Sequence, residues 1–384
     1  MSAPHRRANS AGMLQPNAVT LDPRQLPSYL GNARDLPEML SLHQTHGARF
    51  NGFHVAAFWS RFKILASGDL DGLGDRLVPV YEHTVRMLPE LDARQVANVA
   101  HAFAKAGLIG SGPWESVWAA LPEAALRSLG DGNPQELSNM AWALAKSGTV
   151  ASALFDAISA EVVRRGLGGF KEQELSNTAW AFATAGHASP ELFKAISAEA
   201  VRRGLGDFKE QALCNMAWAF AVANLASADE LFGSTSFVTR CALLEASFSR
   251  SDLSQLHQWS LWREERGARW PGLPNSLRQA CLDAFVAQGE TSSQLQSDVV
   301  REIRSYDVHV KEEHRCKVSG YSIDALVTLN NGEQIAVEVD GPCHFVGHSH
   351  EKTSRTLLKH RQLRYFGWQL RSVPYWEWDM GVGY

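Results

Sequence analysis

The apolar positions between residues 135 and 234 recur with a helical period, and the pattern then recurs as a block. QELSNMAWALAKSG from Gln135, QELSNTAWAFATAG from Gln173 and QALCNMAWAFAVAN from Gln211 align without a gap, and Asn139, Asn177 and Asn215 mark intervals of 38 residues. In the middle copy Leu175, Thr178, Ala179 and Phe182 fall at i, i+3, i+4 and i+7, the spacing of one buried helical face. Gly186, like Gly148 one copy earlier, stands where a left-handed turn ends a helix. Ser189-Pro190 reads as a capping hydroxyl followed by a proline at a position that needs no amide, with Ser152 in the same place one copy earlier. Leu192, Phe193, Ile196 and Ala200 give the second helix its apolar face, and Arg202-Arg203-Gly204 closes it, as Arg164-Arg165-Gly166 closes its predecessor. A hairpin of this length cannot bury its own stripe. The fold class is therefore mainly α, a solenoid of stacked helical hairpins.

A diverged copy, QVANVAHAFAKAG from Gln95, puts Asn98 at the equivalent place, and FNGFHVAAFWSRFKIL from Phe50 is a candidate first copy. The helical pattern begins near Glu38 behind a Pro-rich lead-in, so the array is assigned to 38–234. Residues 1–37 are assigned to a disordered terminus or, because residues 1–20 carry Arg6 and Arg7 and no acid, an organelle transit peptide. After 235 the repeat fades into two helical patterns separated by WPGLP, read as a cap and spacer over 235–290 that covers the last copy. The final unit, 291–384, opens with a helix (Leu295, Val299, Val300, Ile303) and then changes period. Residues 306–310 alternate as a weak strand, 321–329 as a better one, and Asn330-Asn331-Gly332 turns the chain into the apolar run 334–340.

Composition narrows the function classes. Apolar residues make up 45% of the 384 and charged ones 20%, a globular balance rather than a disordered one. A net charge of -4 argues against a protein that coats nucleic acid along its whole length, and leaves local basic patches to be sought. Five scattered cysteines without a CxxC pair fit a reducing compartment better than a disulfide framework or a zinc ribbon. No apolar run is long enough for a membrane span, and the expected state is a monomer.

Candidate chemistry converges on 321–379. Asp324 and Glu338 are equidistant from the turn, so facing strands bring them together, with Asp340 on the same face by period two. Three carboxylates on one face are costly unless a cation or hydrogen-bond donors sit between them, and the expected ligand set for Mg²⁺ is Asp324, Glu338 and Asp340. Gly341-Pro342 then holds His344 close by. Lys352, Arg355, Lys359, Arg361, Arg364 and Arg371 follow without an acid between 352 and 376, interleaved with aromatics that include Trp376, which makes this the best nucleic-acid surface in the chain. In the array, Asn98, Asn139, Asn177 and Asn215 either bond neighbouring turns or meet bases of a single strand on a concave surface. The tryptophans three residues on, at 142, 180 and 218, read as seam fillers. Arg165 and Arg203 either complement helix C-termini or track a phosphate backbone.

The array resembles the octotricopeptide-type repeats and the related arrays of FAST kinase-like organelle proteins, well over 91–232 and weakly from Glu38. The segment 321–379 is similar to the RAP domain in its IDxxV, IAVEVDGPxHF, TLLKxRxL and GWxLxSVPYWEWD pieces. The resemblance implies a PD-(D/E)xK fold of the very-short-patch-repair type, with Asp324, Glu338 and Asp340 at its acidic positions and His344 at its histidine. The nuclease pattern asks for lysine where this chain has Asp340, leaving Lys359 on the next helix as the substitute cation. What the resemblance implies is an organelle protein, mitochondrial or chloroplast, that binds single-stranded RNA through the solenoid. Its RAP domain then adds affinity or recruits other RNA-processing proteins. The alternatives are a metal-dependent endoribonuclease built on Asp324, Glu338, Asp340, His344 and Lys359, and a protein-interaction scaffold.

Overall fold

The computed structural model describes residues 22–66, 74–187, 189–287, 289, 292–347 and 349–379. The transit-peptide expectation for residues 1–20 lies outside them. A first row of helices runs through α1 (Leu26–Asn32), α3 (Gly52–Leu65), α5 (Ala93–Lys105), α7 (Pro134–Ser147), α9 (Glu172–Thr184), α11 (Glu210–Ala223) and α14 (Arg250–Glu265), each packed on the next. Behind it stands a second row of α2 (Leu36–His46), α4 (Gly74–Met87), α6 (Glu115–Ser128), α8 (Ser152–Arg165), α10 (Pro190–Arg203) and α12 (Ala228–Phe232). The short α13 (Ser236–Leu243) and α15 (Asn275–Val286) close that end. The solenoid expectation holds, including the copy that starts at Phe50.

Ordering begins earlier than the sequence pattern placed it. Leu26 and Leu30 of α1 are buried, and Pro27 and Pro37 sit in the first turns of α1 and α2, where a missing amide is harmless, so the prolines start helices rather than break them. Helix ends are set by local chemistry. Asp92 and Asn133 form capping boxes with Gln95 and Glu136. Gly148 and Gly186 have φ of 72° and 67°, and Asn224 takes the same left-handed turn at 51°. The expected hydroxyl cap of α10 is absent. Ser189 stands at the N-cap position, but its Oγ bonds Ser159 Oγ at 2.5 Å in the preceding copy; Ser152 lies inside α8, behind Ala151.

The copies are also stapled. Arg165 reaches back to the carbonyls of Leu129, Gly130 and Gly132 while pairing with Glu161. Arg203 repeats this on Leu167 and Gly168, with Glu199 and Glu172 as its acids, and Arg240 does so on the Phe208 carbonyl. These arginines satisfy carbonyls of the preceding copy, so Arg165 and Arg203 serve the joints between copies.

The C-terminal unit is a four-stranded sheet in the order β1 (His309–Arg315), β2 (Ser322–Thr328), β3 (Gln334–Asp340), β4 (Gln369–Pro374). β1, β2 and β3 are antiparallel; β4 joins β3 in parallel after the crossover helix α17 (Ser354–Tyr365). The first strand starts at His309, later than the 306–310 pattern placed it. α16 (Gln294–Ser305) packs Val299 and Val300 on one sheet face. α17 covers the other, and α18 (Tyr375–Asp379) follows β4 directly.

This unit is built onto the array. Leu358 of α17 joins the solenoid core, and a Cβ on Gly186 would lie 3.4 Å from Ser354 Oγ. A buried polar chain crosses the junction: Trp218 Nε1 donates to Gln258 Oε1 (3.0 Å), Gln258 Nε2 to the Tyr321 hydroxyl (2.8 Å), that hydroxyl to Gln362 Oε1 (2.8 Å), and Gln362 Nε2 to the Gln258 carbonyl (2.9 Å). Every donor atom in it makes a bond, so the junction is both specific and costly to open.

Truncating Arg203 to alanine leaves the Leu167 and Gly168 carbonyls and two acids short of a donor. The expected loss in urea unfolding is about 1–3 kcal/mol. Arg202, whose side chain is 66% exposed and pairs only with Glu199, should change stability by less than about 0.5 kcal/mol on the same substitution.

Candidate functional site

The three-residue loop Asn330-Asn331-Gly332, with Gly332 at φ 85°, fixes the register that sets Ala325 opposite Val337. One step further from the turn, Asp324 faces Glu338, and alternation puts Asp340 on the same side, beneath α17. Glu338 and Asp340 are 1% and 0% exposed. The sequence-predicted acids therefore meet. What lies between them differs from the expectation.

Lys359 Nζ sits 2.5 Å from Glu338 Oε2, and Lys352 Nζ sits 2.7 Å from Asp340 Oδ2. Ser372, paired with Glu338 across β3 and β4, donates to Asp340 Oδ2 at 2.5 Å, and Lys352 also meets Ser372 Oγ at 2.5 Å. Asp324 Oδ2 accepts the Val339 amide at 2.7 Å. His344 Nδ1 and His360 Nε2 approach Asp340 Oδ1 to 3.2 and 3.7 Å without meeting hydrogen-bond geometry, and Glu338 Oε1, Asp340 Oδ1 and His360 Nε2 are buried without a hydrogen-bond partner.

Charge balance explains the titration of the cluster. Burial, reinforced by Asp324 and Asp340, pushes Glu338 up to about 8 against the pull of Lys359. Burial likewise raises Asp324. Asp340 goes the other way: burial opposes its ionisation, but His344, Lys352 and Ser372 outweigh it and hold the carboxyl well below the usual range. Burial would discharge Lys359, yet Glu338 and Asp324 raise it. Burial takes His360 down to about 4, so it is neutral at physiological pH. Three carboxylates, two ammoniums and one proton held largely on Glu338 leave the site neutral.

The residues do not fit Mg²⁺. The two orphaned oxygens, Glu338 Oε1 and Asp340 Oδ1, favour a cation, but each carboxylate is already paired to an ammonium through its other oxygen. One Asp324 oxygen, Oδ2, is held by a backbone amide. Among the described residues no three His, Cys, Asp or Glu side chains are placed to hold a metal ion. The expected ligand set Asp324, Glu338 and Asp340 is corrected to a lysine-neutralised cluster.

The other predicted residues sort by what they touch. Lys352, expected on the nucleic-acid surface, belongs to the acid cluster. Arg361 pairs with Glu265 at 2.8 Å and donates to the Ala221 and Val222 carbonyls at the end of α11, so it docks the unit on the array. Lys359 pairs with Glu338 as the substitute cation. Arg355 and Arg364 are exposed, and Arg355 lines a cavity with Asp324, His344 and Lys359. Trp376 stacks on His350 at 3.9 Å between centroids and turns an edge to Phe345.

In the array, Asn177 and Asn215 bond each other at 3.4 Å, and Asn215 accepts from Gln255 at 3.2 Å, while Asn98 and Asn139 stay half-buried. His101, Trp142, Trp180 and Trp218 form a ladder with successive centroids 5.2, 6.4 and 6.3 Å apart. Trp142 and Trp180 are half-buried and Trp218 is covered. Sequence reasoning missed Lys105 and Lys146, which stand four residues beyond His101 and Trp142 and are exposed. In the next copies that position is Thr184 and Val222, where α17 packs. The change from lysine to uncharged residues along one repeat position was the signal available.

The pH profile of stability tests the proton on Glu338. The folded chain holds that proton up to about pH 8, while an unfolded glutamate releases it near its ordinary value of 4.5. Its contribution is therefore complete in acid, declines as pH rises across that window, and levels off above it. Relative to Glu338→Gln, which is neutral throughout, the native protein should lose stability between pH 5 and about 8 in melting experiments. A difference that does not vary with pH would exclude a shared proton.

Comparison with known proteins covers the same region. A model of the RAP domain matches residues 337–381, from within β3 through α17 and β4 to beyond α18. A RAP domain-containing protein, chloroplastic, from Oryza sativa subsp. japonica is 26% identical over 137 residues, which is 34% of this chain and 21% of that protein. The chain thus spans about a fifth of the length of the relative it matches. Residues 337–381 are a RAP domain, and in this chain it is fused to the end of a stack of helical hairpins.

Proposed function

We propose that the protein binds single-stranded RNA in an organelle, with the first-row face of the array as the reader and the RAP domain fixed at one end of it. The observation that carries this reading is the stripe on that face. Asn98, Asn139 and Asn177 each lie three residues before a half-buried ring, His101, Trp142 and Trp180, and α5 and α7 add exposed lysines four residues beyond theirs. Rings that stack in a row, amides that can meet base edges and cations that meet phosphates are the three elements of a single-strand platform. The exposed Lys105 and Lys146 beside those rings favour RNA over a peptide partner. The RAP domain and its chloroplastic relative support a plastid address and a role in RNA processing, stability or translation. The lysine-neutralised cluster supports holding RNA rather than cutting it.

The test is equilibrium binding of a single-stranded RNA pool between 50 and 200 mM salt. Binding should weaken steeply with salt, and Lys105→Ala with Lys146→Ala should flatten the log–log slope by roughly 1.4, at about 0.7 for each phosphate no longer neutralised. Trp180→Ala should weaken binding by about 1–3 kcal/mol if one base stacks there. No salt-sensitive binding to any single strand would overturn the reading.

A further inference from the structure

The cavity beside the acid cluster is not explained by the array's stripe. It encloses about 440 Å³ between α15, the end of the sheet and the start of α17. Arg315, Arg355 and Lys359 reach it from two elements, His344 and Thr356 add polar groups, and Phe285 supplies an apolar wall braced edge-on by Tyr321 at 5.0 Å. The turn before β2 is shaped to this wall: a Cβ on Gly320, at φ 72°, would come within 3.0 Å of Leu282 and 3.2 Å of Val286. Glu313, on the rim, holds φ 47°, a region that residues other than glycine enter at a cost.

Most of the charged groups there already have protein partners, and Arg315 donates to the Gly320 carbonyl at 3.1 Å. Of the two carboxylates on the wall, Glu313 already accepts from Gln296 and Ser322, and Asp324 from the Val339 amide. Lys359 is committed to Glu338. Arg355 is exposed, and among the described residues no hydrogen bond or ion pair holds its guanidinium. It stands in the first turn of α17, which carries no acid there. A helix N-terminus favours negative charge, so a cation at that place is in unfavourable company until an anion arrives. The volume suits one nucleotide, and a terminal phosphomonoester carries nearly twice the charge of an internal diester.

We infer that this cavity between the spacer and the RAP domain holds the phosphorylated terminal nucleotide of an RNA strand, with the phosphomonoester on Arg355 and the base against Phe285. The inference rests on the single-strand reading above. It adds that the protein recognises where its strand ends. A 5′ and a 3′ phosphate offer the same chemistry, and the experiment separates them.

The full chain is titrated with four oligonucleotides of one sequence, ending in 5′-phosphate, 5′-hydroxyl, 3′-phosphate or 3′-hydroxyl. One phosphorylated end should bind about tenfold tighter than its hydroxyl counterpart, and Arg355→Ala, checked for an unchanged melting temperature, should erase that ratio. Lys146→Ala should weaken both strands of the pair alike and keep the ratio. Four equal affinities, or a ratio that survives Arg355→Ala, would overturn the inference while leaving the array reading intact. If no strand binds but a nucleoside monophosphate does, in a manner lost in Arg355→Ala, the cavity assignment stands and the array reading falls. Failure of both ligands overturns both.

Discussion

No single hairpin in this protein has a core of its own. Each two-helix copy presents an apolar face on both sides, and those faces are buried only because another copy lies against them. One continuous apolar cluster therefore runs from Leu26 in α1 to Cys281 in α15 and takes in Leu358 of α17. The stack must end somewhere, and at its C-terminal end α14 and α15 close it, with the RAP domain packed on α9, α11 and α14. The domain is thus a structural terminator as well as a candidate for function. The polar chain from Trp218 through Gln258 and Tyr321 to Gln362 makes that ending specific, because any other seating would leave buried amides and a phenol without partners.

The same logic governs the acid cluster. Three carboxylates on one sheet face beneath a helix would repel one another out of the fold if left alone. The structure answers with cations from two places. Lys359 comes from the crossover helix, and Lys352 comes from the segment just before it, which is tied back by the Phe345–Lys352 bridge. The remaining imbalance is met by a proton, so the cluster is an electrostatic fastener between β3, α17 and β4.

Much of this was legible in the sequence, and the limits have physical reasons. Period and face are local properties, so the repeat, the left-handed helix ends at Gly148 and Gly186, and the facing of Asp324 and Glu338 across the turn were all readable. Destinations of long side chains are not local. Arg361 and Arg165 looked like phosphate contacts because charge is visible in a sequence, while the carbonyls they reach lie 139 and 33 residues away. Lys352 looked like part of a basic surface because its meeting with Asp340 depends on how the loop between them closes. Ser189 looked like a cap, yet Ser159 of the preceding copy offered its hydroxyl a better partner. Pro27 and Pro37 fell in a lead-in read as disordered, because a proline at a helix start and one in a disordered leader read alike until burial of Leu26 and Leu30 is known.

The arginine staples carry a consequence for how such a chain changes length. Arg165, Arg203 and Arg240 each reach one copy back and no further. A copy inserted or lost in the middle brings its own arginine and its own carbonyls, so the joints on either side re-form unchanged. The last copies differ, because Thr184, Val222 and the end of α11 are shaped to α17. The array is free to grow or shrink on the side away from the RAP domain, while the distance from that domain to the nearest copies stays fixed, as on a ruler whose zero mark is built in.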